Sequence, residues 1–96
     1  MIPGLTTRLS ESQLVTATTI LPKSDVVFVS GTTAVATIVP PFEGFSGIIF
    51  LVATDAAGFA TTTAGNIQLV VSLTANVATA FIYSKKNAKW YPGAIS

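Results

Sequence analysis

The chain has 96 residues, half of them hydrophobic and 9% charged, with a formal net charge of +1. An ordinary soluble domain carries about 25% charged residues, so most of the charge that normally faces water is missing, and so small a net charge excludes steering toward nucleic acid or acidic lipid. Membrane insertion is not expected either: the longest apolar run, Ile48 to Ala53, falls far short of the roughly 20 residues of a spanning helix, and the chain is too short for a membrane barrel.

No signal peptide is expected, because Pro3, Gly4 and the polar residues from Thr6 to Gln13 interrupt any apolar core at the start. Residues 1–21 read as an extended N-terminal arm, ahead of a β-domain spanning 22–96. A short helix from Thr6 to Leu14, with Ser10 as cap and Gln13 three residues on, is the alternative within that arm. Pro22 to Asp25 is a turn cluster. Val26 to Val29 then forms a β-branched and aromatic run closed by Ser30 and Gly31.

Thr33 to Val39 alternates, with Val35, Thr37 and Val39 on one face and Ala34, Ala36 and Ile38 on the other. Both faces are apolar or small, which predicts a strand covered on both sides, and Pro40-Pro41 ends it. Gly44 and Gly47 bracket a loop, and Ile48 to Ala53 reads as a fully buried strand because it has no polar face. After a turn at Asp55 to Gly58, a short strand from Phe59 to Thr63 is broken by Ala64-Gly65-Asn66. Ile67, Leu69, Val71 and Leu73 give the clearest period-two pattern, and Val77, Thr79, Phe81 and Tyr83 give a second. Ser84 to Lys89 is a basic hairpin loop, followed by a short closing strand at Trp90-Tyr91. Short strands at regular spacing, with no helix after residue 21, predict an all-β fold: a compact antiparallel β-sandwich, jelly-roll-like or a small barrel.

The chain contains no histidine and no cysteine. That removes Ser-His-Asp and Cys-His catalysis, the usual zinc sites and haem ligation. The carboxylates Glu11, Asp25, Glu43 and Asp55 stand singly in the arm and turns, where aspartates ordinarily bond their own backbone. Nothing pairs them as a glycosidase requires, and nothing gathers the oxygens of a calcium site. Gly44 to Gly47 lacks the spacing and lysine of a phosphate loop. The expectation is therefore a non-enzyme without cofactor or metal. One cluster invites a contact role: Lys85, Lys86 and Lys89 beside Trp90 and Tyr91. Such a loop can stack on and hold single-stranded nucleic acid or a sugar ring. The plainer alternative is that the lysines solvate a hairpin tip and guard a strand edge, with the two aromatic rings packed beneath.

The strings Gly31 to Ile38, Gly44 to Leu51, Phe59 to Ile67 and Lys89 to Pro92 resemble a small β-domain of tailed-bacteriophage virion proteins. The resemblance runs from about residue 21 to 92, with the segments in the expected order. It departs at the last hairpin: the family often closes it with a tight Asp-Gly turn, whereas Ser84 to Lys89 is longer and basic, so no ligand role is carried over there. The resemblance implies a structural component on the outside of the particle, such as a head decoration protein, a head fibre or a tail-fibre module, and many such components are trimeric. With only a short arm ahead of the β-domain, a capsid decoration (cement) protein is the expected member. Its partners would be copies of itself in a homotrimer and the phage major capsid protein, on the exterior of the capsid. The alternative is a fibre module that binds host surface glycans. Self-contacts are expected along the uncharged stretch from Ala56 to Ser84.

Overall fold

β-branched and aromatic residues punctuated by Gly, Pro and Asp turns give short strands throughout the computed structural model, which describes residues 11–93. In chain order these are β1 (Glu11–Val15), β2 (Thr19–Ile20), β3 (Val26–Ser30), β4 (Thr37–Ile38), β5 (Gly47–Ala53), β6 (Phe59–Ala60), β7 (Ser72–Leu73), β8 (Ala78–Ser84) and β9 (Lys89–Pro92). Among the described residues there is no helix. The fold is all-β.

One five-stranded sheet, in the order β1-β3-β5-β8-β9, holds all the longer strands. β1, β3 and β5 run parallel to one another, β8 adds antiparallel to β5, and β9 adds antiparallel to β8. Parallel neighbours oblige the chain to cross over between them. Residues 16–25 and 31–46 make those crossings, and in doing so lay β2 and β4 in a facing layer, where they also pair in parallel. A parallel bridge from Val35 to Thr61 continues that layer. The chain thus winds through successive coils, each placing a long strand in the sheet and a short piece opposite it. The β8–β9 hairpin then closes the sheet.

The sheet is therefore mixed, where the sequence pattern pointed to an antiparallel one, and among the described residues it does not close into a barrel. Period-two patterning reports which side chains share a face. It carries no information about strand direction, so the parallel winding was invisible to it. Residues 11–20 also differ from the arm and helix expectations, since they form β1 and β2 and bury Ile20. The remainder of the expected arm, residues 1–10, lies outside the described residues.

The core lies between the inner face of the sheet and the facing layer. Val27, Val29, Ile49, Leu51, Ala53, Phe81 and Trp90 point in from the sheet, and Ile20, Val35, Ile38, Phe59, Ile67 and Leu73 meet them from opposite. Two polar side chains organise the facing layer. Asn66 acts as a surrogate strand residue: its Oδ1 accepts from the Ile38 N–H at 2.9 Å and its Nδ2 donates to the Ile38 carbonyl at 2.7 Å. The buried Thr61 hydroxyl donates to the Leu69 carbonyl at 2.9 Å and accepts from the Val71 N–H at 3.0 Å. That brace folds residues 61–71 into a loop, so the expected strand from Ile67 to Leu73 survives only as β7 at its end. Ile67 and Leu73 are buried there while Leu69 and Val70 face out. Gly65 sits so close to the Thr37 hydroxyl and the Ala36 carbonyl that a Cβ would collide with both, which requires glycine at this crossing of the two segments.

Candidate functional site

The sheet has a second face, and it too is apolar. Residues one position along from the core residues turn outward: Val26 and Phe28 on β3, Ile48, Phe50 and Val52 on β5, Ala78, Ala80 and Ile82 on β8, and Tyr91 on β9. None is charged. The charged residues of this face, Glu11 and Lys89, belong to its edge strands β1 and β9. An antiparallel or mixed sheet with one solvated face ordinarily alternates apolar-in and polar-out. Here Ile48 is 47% and Ile82 46% exposed. β5 was expected to be fully buried, and instead it buries Ile49, Leu51 and Ala53 and presents the side chains between them.

The cross-strand register gives this face relief. Phe28 stands opposite Val52, and Val26 opposite Phe50, so β3 and β5 carry a bulky ridge. Phe50 and Val52 are in turn opposite Ala80 and Ala78, which leave a trough along β8. Beyond the trough, Ile82 and Tyr91 rise again as cross-strand partners. At the β1 end, a groove of about 440 Å³ is lined by Glu11, Gln13, Leu14, Phe28, Ser30 and Thr54. A ridge beside a trough on one uncharged face is a shape that a second copy of the same face can fill.

The hairpin residues singled out in the sequence go to different places. Lys85 and Lys86 are exposed at the β8–β9 tip, which Ser84 ties off by accepting from the Asn87 N–H at 3.2 Å through its hydroxyl and from the Ala88 N–H at 2.7 Å through its carbonyl. Lys89 is half-buried and reaches the Gly65 carbonyl at 3.4 Å. Trp90 points the other way, is 0% exposed, and donates its indole N–H to the Ile38 carbonyl at 2.9 Å. Tyr91 lies on the outer face and accepts from the Asn87 side-chain amide at 3.2 Å. The fold therefore does not bring these five residues into one surface. The buried indole has no free face on which a base or a sugar could stack.

Sequence reasoning missed the outer face, although a signal was present. Val26 to Val29 and Ile48 to Ala53 carry no polar residue at either parity, which on a two-layer fold means one parity must face out. No group of histidine, cysteine and carboxylate residues able to hold a metal ion occurs among the described residues.

No family model matches the chain, and no curated protein matches it. Its fold is similar to part of a solved structure described as "Structure of a chaperone-substrate complex", with a TM-score of 0.52 and 13% sequence identity. The similarity covers 80% of this chain and 14% of that one, so the chain spans about one seventh of the protein it matches. At that identity the likeness shows the shared fold alone.

Proposed function

We propose that this chain is a non-catalytic structural subunit that associates with copies of itself, as a homotrimer, through the outer face of the five-stranded sheet. The observation that carries the reading is that face: a continuous apolar ridge and trough, with its charges confined to the edge strands. Exposed apolar area beyond a few hundred Å² marks an interaction surface in soluble proteins, and folding alone gives no reason to keep every central position of a solvated face uncharged. Three such faces turned toward a common axis would cover one another. In finer architectural terms we describe each subunit as sandwich-like, a sheet packed on a facing layer of short strands.

The particle to which the subunit belongs is, in this proposal, a bacteriophage head. The chain would act there as a decoration (cement) protein on the exterior, against the major capsid protein. That step rests on the resemblance of residues 31–38, 44–51, 59–67 and 89–92 to phage virion domains. Labelling the chain and imaging particles by electron microscopy tests it. Copies spread over the head lattice are expected; label confined to tails or spikes would overturn decoration in favour of a fibre module, and particles without label would overturn both.

A further inference from the structure

A second feature lies away from the apolar sheet face, at the loop between β4 and β5. Phe42 and Phe45 are the ends of a tight turn closed by the Phe45 N–H donating to the Phe42 carbonyl at 3.2 Å. The turn sets their rings edge-to-face, 5.4 Å apart at 87°. Phe45 is buried, with its ring 5.9 Å from Trp90 and 6.1 Å from Tyr83. Tyr83 and Trp90 are themselves 4.8 Å apart, and the Trp90 indole is fixed by its bond to Ile38. The result is a chain of rings anchored in the core and ending in Phe42, which is 64% exposed. Leaving most of a phenylalanine ring in water forgoes the stabilisation that its burial would give. The edge-to-face contact with Phe45 covers only part of the ring.

Beside the exposed ring is a groove of about 290 Å³, lined by Pro40, Phe42, Phe45 and Tyr83, with Glu43 and Lys85 also contributing. The charges are informative because they are scarce. Glu43 and Asp55 are the only charged residues from Val26 to Ser84, and one of them lines this groove together with the first lysine of the hairpin. Gly44 completes the turn with φ of +83°, and a Cβ there would meet nothing within 4 Å, so the groove is open above the backbone at that point.

From this arrangement we infer that the Phe42 groove is a binding site for a single sugar ring at the end of a glycan. A pyranose has one face of C–H groups and a rim of hydroxyls. The C–H face suits a fixed aromatic ring, the hydroxyls donate to the Glu43 carboxylate and accept from the Lys85 ammonium, and the groove holds about one ring. A proline-rich peptide would also use aromatic walls, but its proline residues carry no N–H, whereas the rim of a pyranose presents a hydroxyl donor at nearly every carbon. Concave sites of this kind combine apolar walls with a few convergent polar groups. The site is independent of self-association: it exists whether the chain decorates a head or sits on a fibre, and its failure leaves the assembly reading standing.

The test is a ¹H–¹⁵N titration of the full chain with methyl α-glucoside, methyl β-galactoside and N-acetylglucosamine. At least one should give saturable shifts of the amides of residues 42–45 and 83–85, with a Kd on the order of millimolar. Phe42→Ala should weaken that binding by roughly tenfold or more, as expected for removal of an aromatic anchor. Glu43→Gln and Lys85→Ala are exposed changes that should leave the spectrum folded while weakening binding by about threefold or more, as loss of a hydrogen bond to a charged group does. Absence of saturable shifts with all three sugars up to about 100 mM, two decades above that Kd, would overturn the inference. So would shifts that centre on Lys86 and Tyr91 instead, or a proline-rich peptide that moves the groove amides when the sugars do not.

Discussion

The two faces of the five-stranded sheet are built from the same kinds of residue and meet different fates. On β5, Ile49, Leu51 and Ala53 are fully buried against the facing layer, whereas of the side chains that alternate with them Ile48 is exposed and Phe50 and Val52 are only half-buried. Both parities of β5 are apolar, so hydropathy cannot be what distinguishes them. The difference is that the winding of the chain supplies one face with a second layer, fastened by Asn66, Thr61 and Trp90, and among the described residues leaves the other without one. A face that needs no apolar residues for folding but has them is available for assembly.

Substitutions on the two faces should therefore separate stability from association. The largest loss of stability is expected from Leu51→Ala, which empties the centre of the inner face and should lower the unfolding free energy by about 2–5 kcal/mol, measured by urea denaturation. Asn66→Ala should cost about 1–3 kcal/mol in the same assay, because it leaves the Ile38 N–H without its partner in the facing layer. On the outer face, Ile82→Lys should change the stability of the isolated subunit by no more than about 0.5 kcal/mol, as surface substitutions do. A loss there comparable to Leu51→Ala would mean that the outer face is covered within the subunit. Lys86→Ser at the hairpin tip should be the smallest effect, below about 0.5 kcal/mol, with no change in oligomeric state.

Part of this was legible in the sequence. The strands at Val26–Ser30, Ala78–Ser84 and Lys89–Pro92 coincide with β-rich runs bounded by turn residues, because local patterning and tertiary packing agree there. The clearest alternation, Ile67 to Leu73, did not become a strand. One buried hydroxyl, that of Thr61, captures both the Leu69 carbonyl and the Val71 N–H and so bends the backbone into a loop. No local pattern announces a bond between residues in different segments. The parallel winding was hidden for a related reason, since direction is decided by where the crossings go. Residues 11–20 read as an arm because β1 is polar at Glu11, Ser12 and Gln13, which is what an edge strand looks like when its neighbour does the burying. The aromatic groove was missed because Phe42 and Phe45 sit among Pro and Gly in a loop, and only the fold brings Tyr83 and Lys85 to them.

The outer face as the self-association surface is the central claim, and the mass of the particle in solution tests it most directly. Sedimentation equilibrium of the wild-type chain at micromolar concentration should give a trimer, and the double variant Ile48→Lys/Ile82→Lys should give a folded monomer whose unfolding midpoint, unlike that of the wild type, does not depend on protein concentration. A wild-type monomer, or a double variant that remains trimeric, would contradict the account.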